Sequence, residues 1–202
     1  MDKILTNKSQ LDKINNYNKI ILEKETLLLV IDMQEKLISK IKGNRLLAFN
    51  IKKLIDACNL LNVRIAITEQ NPLKLGETLK SLLENKDYPK FKKMEFSCCK
   101  NDNLIDYMKK YNFKNVIVCG IESHICVLQT SIELLEKGFN ILIPKDAIGS
   151  RNDIDNDTAF IRLTLLGAVA STTESLICEL CKTAERKEFK EISKILKNSF
   201  SN

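Results

Sequence analysis

Cysteine, histidine, aspartate and lysine can do nucleophilic or acid–base chemistry, and their spacing in this chain limits how. The stretch NVIVCGIESHICVLQTSIELLEKG (115–138) holds two of the seven cysteines and the only histidine, His124. Cys119 sits in an apolar run between Val118 and Gly120, where a small buried thiol is the ordinary role. Cys126 falls in the first turns of the helical pattern that follows. Unpaired backbone N–H groups at such a position favour negative charge, lower a thiol pKa and can hold an oxyanion. The Ile-Cys-Val-Leu run also reads as a helix burying itself, so position alone leaves both readings open. His124 stands two residues before Cys126, and helical neighbours at that separation do not face each other. A cysteine nucleophile would therefore need a carboxylate or a lysine as its proton acceptor. Asp32 directly follows the apolar residues Leu27 to Ile31; such an acid serves as an acid–base group, a metal ligand or a cap. Lys93 precedes Phe96 and Ser97 in KKMEFSCC, but lysines are spread along the whole chain and composition assigns it nothing.

Positioning these residues requires strands. Four short apolar runs, TLLLVIDM (26–33), VRIAITE (63–69), NVIVCGI (115–121) and FNILIPKDA (139–147), show little alternation, as expected of strands covered on both faces. A weaker fifth is GAVASTT (167–173). Helical patterns lie between them. NRLLAFNIKKLIDACNLLN (44–62) puts Leu47, Ile51, Leu54, Ile55 and Cys58 on one stripe. The helix containing Cys126 ends at Gly138, a further helix ends at Gly167, and KEFKEISKILKNSF presents Phe189, Ile192 and Leu196. Strands alternating with helices predict an α/β fold: a three-layer Rossmann-like arrangement with a mostly parallel sheet and helices on both faces. Ligands in such sheets bind outside the carboxyl ends of the strands, where Asp32 and Cys126 fall. The expected organisation is a polar arm over 1–25 and a single domain over 26–200, with an irregular middle from Gln70 to Ser97.

At 202 residues the chain can bury a substantial core. The net charge of +6 is scattered and interleaved with acids, without a basic stripe or a nucleic-acid-binding motif, so no nucleic-acid partner is expected. No apolar run approaches a membrane span and the start lacks a secretory pattern, so a cytoplasmic protein without membrane contact is expected. Seven cysteines in no disulfide framework fit free thiols in a reducing compartment. CELC (178–181) has redox spacing but lies in a helical pattern, with both thiols expected to face the core.

The ordered motifs LLLVIDMQEKL, ITEQNPLKLG, KMEFSC, CGIESHICVLQTSIELLEKGFNILIPKDAIGSR and GAVASTTESLICEL resemble the isochorismatase-like cysteine hydrolase superfamily, most closely its eukaryotic isochorismatase-domain-containing branch. The likeness runs from Leu27 to Leu196. It implies an Asp–Lys–Cys triad that falls on Asp32, Lys93 and Cys126, with Gln34, Thr68, Ile121, Glu122 and Ile125 around the substrate and the oxyanion. It implies a cis peptide at Ile121–Glu122, backbone N–H groups near Ile125 and Cys126 as oxyanion donors, and hydrolysis of a small amide or related C–N bond. It further implies a small-molecule substrate and a homo-oligomer, a dimer or larger. Nicotinamidases of this superfamily carry an Asp/His metal cluster after the second strand. Here that place reads TEQNPLKLG with no histidine, so neither a metal nor another cofactor is expected. The competing expectation is a catalytically silent, oligomeric binding or regulatory protein on the same fold.

Overall fold

The computed structural model describes residues 20–84 and 86–200, so the expected polar arm lies outside the described residues as far as residue 19. The strands are β1 (Thr26–Ile31), β2 (Arg64–Gln70), β3 (Lys90–Lys93), β4 (Asn115–Ile121), β5 (Asn140–Pro144), β6 (Ile148–Gly149) and β7 (Val169–Ser171). They form one sheet in the order β3-β2-β1-β4-β5-β7, with β6 paired to β4, and every strand pair is parallel. The longer helices are α1 (Asn44–Leu60), α2 (Asp102–Lys110), α3 (Leu128–Glu136), α4 (Asp153–Leu165), α5 (Thr173–Cys181) and α6 (Phe189–Lys197).

Two apolar clusters cover the two faces of the sheet. Alternate residues of β1 and β4 feed each: Leu28, Val30, Ile117 and Cys119 pack under α1, α5 and α6, while Leu27, Leu29, Val116 and Val118 pack under α2, α3 and α4. All six residues of β1 and all seven of β4 are buried, which is why both runs read as unbroken hydrophobic stretches. The α1 stripe is buried as its spacing predicts, and Ile192 of α6 is fully buried with Phe189 and Leu196 packed beside it.

Several features depart from expectation. The middle region is not irregular throughout: one-turn helices at Pro72–Leu75 and Lys80–Leu83 lead into β3, an edge strand that pairs only with β2. Its lysines point outward, except Lys93, which is buried. Of the two CELC thiols in α5, Cys181 faces the core while Cys178 is exposed; residues three apart on a helix diverge by about 60°. The described chain is also anchored ahead of β1, because Ile21 is buried and its N–H donates to Glu179 Oε1 at 3.0 Å.

The strand order turns outward in opposite directions from β1 and β4, so the crevice at their carboxyl ends is the switch point where ligands bind in open parallel sheets. The close approach of these two strands there depends on Gly120. Its φ is +116°, and an added Cβ would stand 2.1 Å from the Ile31 carbonyl oxygen. Both the conformation and the backbone contact forbid a side chain. Gly120→Ala is expected to lower stability by about 3 kcal/mol or more, read as a shift of the urea midpoint. A midpoint within experimental error of wild type would mean that β1 and β4 do not meet as described.

Candidate active site

Asp32 follows β1 with φ +52°, a left-handed conformation that Asp tolerates better than most residues. Its N–H donates to Thr68 O at 3.2 Å, which ties the end of β1 to β2. The carboxylate is fully buried and held on both oxygens: Thr68 Oγ1 donates to Oδ1 at 2.7 Å, and Lys93 Nζ donates to Oδ2 at 2.6 Å. Lys93, the last residue of β3, is drawn inward by this partner and also donates to Gln70 Oε1 at 2.7 Å and to Glu95 O at 3.3 Å. The ion pair is almost sealed from water, with the side chains 1% and 0% exposed. Burial opposes the Lys93 charge, but the Asp32 carboxylate together with the Cys98 and Cys126 sulfurs outweighs it, so the ammonium is held above the ordinary lysine value.

The third expected residue joins this pair. Cys126 Sγ lies 3.5 Å from Lys93 Nζ. It sits on a single π-helical turn, Ser123–Val127, between β4 and α3. The preceding Ile121–Glu122 peptide is cis, at the place the resemblance implies. Burial pushes the Cys126 thiol well above its ordinary pKa. The Asp32 carboxylate pushes the same way, and Lys93 only partly opposes them. The resting group at neutral pH is therefore the thiol, not a preformed thiolate. Its rate of alkylation by a neutral reagent such as iodoacetamide is expected to rise from pH 7 to 10 without levelling off. Mass spectrometry of the Cys126 peptide reads this rate, and a plateau below pH 8 would mean that the thiolate is the resting form.

The other expected residues divide. Thr68 positions Asp32 through its hydroxyl, while Ile121, Glu122 and Ile125 join Cys126 in lining a cavity of about 280 Å3. The Ile125 N–H, however, is taken by the Glu122 carbonyl at 3.0 Å. Gln34 belongs to the scaffold: its Nε2 donates to Gln70 O at 3.0 Å and Gly76 O at 2.5 Å, and its Oε1 accepts from Gln70 N at 2.8 Å. With these bonds made, it clamps the end of β2 to the next turn. Gln70 is the residue that motif reading passed over. Its place at the carboxyl end of β2 was the available signal. His124 bonds Ser150 Oγ through Nδ1 at 2.9 Å, and Cys119 is fully buried in the core. Among the described residues no cluster of three or more His, Cys, Asp or Glu side chains is arranged to hold a metal ion. A larger hollow of about 690 Å3 opens beside β3 near Asn71 and Lys92, but Cys126 lines only the smaller cavity.

The isochorismatase domain profile matches residues 26–175. The chain belongs to the isochorismatase family. It is 35% identical over 195 residues to isochorismatase family protein 1B of Dictyostelium discoideum, covering 91% of each chain. Isochorismatase domain-containing protein 2 of Danio rerio is 35% identical over 173 residues, covering 86% of this chain and 87% of that one. Among solved structures, one described as the MAR1 ribonuclease from Caenorhabditis elegans superposes with a TM-score of 0.85 at 36% identity, over 91% of this chain and 95% of the other. The eukaryotic isochorismatase-domain branch and the family's α/β fold thus both hold for this chain. Family membership supports a hydrolase in general terms.

Proposed function

We propose that this isochorismatase-family protein hydrolyses a small amide or related C–N bond with Cys126 as nucleophile, Asp32 as base and Lys93 as the cation that holds Asp32. One observation carries the reading: a sealed Asp32–Lys93 pair with the Cys126 sulfur 3.5 Å from the ammonium, at the wall of a small cavity. As the substrate carbonyl docks, the thiol proton passes to Asp32 and the sulfur bonds to the carbonyl carbon. The oxygen takes the electron pair, and the Cys126 amide N–H stabilises it. On collapse, Asp32 returns its proton to the leaving nitrogen, the C–N bond breaks, and a thioester remains. Water then gives a proton to Asp32 and attacks the thioester, releasing the acid and restoring the thiol.

The alternative of a silent scaffold has less support from the site, because the cavity rim residues Lys74 and Phe96 are exposed and leave a path to Cys126. The neighbour's ribonuclease description raises a second chemistry. The apolar lining of this cavity offers no free buried cation for a phosphodiester, which favours the amide. Self-association belongs to the same proposal, with Ile154, Ile161 and Leu165 exposed along α4 as its support. So does a cytoplasmic location, which the seven free cysteines fit. Among the described residues no helix is long and apolar enough to cross a membrane. A screen of small primary amides with an RNA arm, read by product release and intact mass, tests the central reading. Amide turnover with an acyl adduct on Cys126 is expected. RNA cleavage without amide turnover would overturn it.

A further inference from the structure

We infer that this site selects amides whose acyl group is small, uncharged and apolar, and that Phe96 is the residue that makes the selection. The identity of the reacting bond rests on the hydrolase reading above; the nature of the acyl group rests on the cavity. Leu37, Leu75, Phe96, Ile121 and Ile125 supply its wall next to Cys126. Of the polar residues in its lining, Asn71 is half-buried and Lys74 exposed, and the Glu122 and Gln70 side chains are engaged elsewhere. The Glu122 carboxylate accepts from Arg151 N at 3.1 Å and Arg151 Nε at 3.0 Å. Gln70 is engaged at both ends, accepting from Lys93 and donating to Met94 O at 2.6 Å. Lys93 is saturated by Asp32, Gln70 and the Glu95 carbonyl.

A carboxylate on the acyl group would therefore lose its hydration in this cavity without gaining a buried cation. Lys74 stands at the rim with its side chain exposed, and a cation in water returns little of that loss. An uncharged group meets the opposite balance, because it covers apolar wall that water now wets. The volume of about 280 Å3 limits the group to a branched aliphatic chain or a single ring. Phe96 lines the cavity while 54% exposed, the most solvent-exposed of its apolar lining residues. A bound acyl group would cover the open half of its ring. The loop that carries it runs directly from Lys93 to Cys98, so recognition of the acyl group and placement of the ammonium share one short segment.

The test uses the Cys126→Ala protein, which binds without cleaving, titrated with isobutyramide, benzamide and succinamic acid. Isobutyramide and benzamide are expected to bind at least about tenfold tighter than succinamate. Adding Phe96→Ala should weaken the first two about five- to tenfold, the effect of losing one covered ring face, and leave succinamate unchanged. Leu73→Ala, 97% exposed on the neighbouring hollow, should alter none of them. Succinamate binding as tightly as the apolar amides, no binding of any amide, or equal effects of the Phe96 and Leu73 changes would overturn the inference. Wild-type turnover is scored separately. Selective binding without turnover upholds the apolar subsite and sinks the hydrolase reading; turnover without selectivity does the reverse.

Discussion

Lys93→Met is expected to unfold about 3–5 kcal/mol more easily than wild type and to lose amide hydrolysis by at least about a thousandfold. The stability loss follows from what the change leaves behind. Asp32 is fully buried, and once Lys93 is gone only the Thr68 hydroxyl still holds its carboxylate side chain. Removing one member of a buried pair strands the other charge, and the cost of that stranded charge dominates. The neutral change on the other side is milder. In Asp32→Asn the ammonium keeps Gln70 Oε1 and Glu95 O, and the new side-chain oxygen can still accept. Asp32→Asn should therefore be closer to wild type in urea than Lys93→Met, yet equally inactive, because no base remains for the thiol proton. The double variant should be more stable than Lys93→Met alone, since it removes both charges. Urea unfolding of the three proteins checks the order. Three midpoints within about 1 kcal/mol of wild type would mean that the pair is not desolvated, and the electrostatic account of the site would fail with it.

The pH dependence of stability carries the same sign. A lysine held above its ordinary pKa in the folded state contributes stability that is complete below the unfolded value. That contribution is lost only as pH rises through the folded value. The Lys93 contribution is thus undiminished across the neutral range and decays only in strong alkali.

How much of this was legible in the sequence depends on how each residue is held. Asp32 and Cys126 could be singled out because each follows an apolar strand, and strand ends at the switch point are where side chains converge in parallel sheets. Lys93 could not be separated from the other lysines by composition. It lies in Lys90–Lys93, an edge strand whose remaining residues face outward or are half-buried, so it has no apolar run to announce it. What pulls it inward is Asp32, 61 positions away in sequence. Only the resemblance to a family supplied that pairing. The same logic explains where the Gln34 side chain is held. Its motif neighbourhood pointed to the substrate, but a buried amide must satisfy its donors and acceptor, and the backbone of Gln70 and Gly76 does so. The two CELC thiols were read as one face because both fall among apolar helical positions. Side-chain direction on a single turn separated them.

Cys126→Ala and Cys119→Ala should fail in opposite ways. Cys119 is fully buried in the cluster beneath α1, with its thiol 3.7 Å from the Leu29 carbonyl. Truncating it removes packing behind the sheet rather than from the cavity lining, so stability should fall by about 1–2 kcal/mol with amide turnover at the wild-type level once folded. Cys126 borders the cavity, and its sulfur touches the Lys93 ammonium. Removing it should leave stability within about 1 kcal/mol of wild type, since the loss of packing is small and the ion pair keeps its other partners. Turnover should fall by about ten-thousandfold or more, and the acyl adduct should vanish from the intact-mass spectrum, because Cys126 is the one thiol in the cavity lining. Cys98 is the nearest competitor for that role. It is fully buried, its sulfur is 3.7 Å from Thr68 Oγ1, and burial pushes its thiol up to about 12. An adduct on Cys98 in the Cys126→Ala protein, with turnover retained, would move the nucleophile to that residue. Loss of turnover in both single variants with full stability would instead mean that the two cysteines act through one another, which their separation on opposite sides of the sheet argues against.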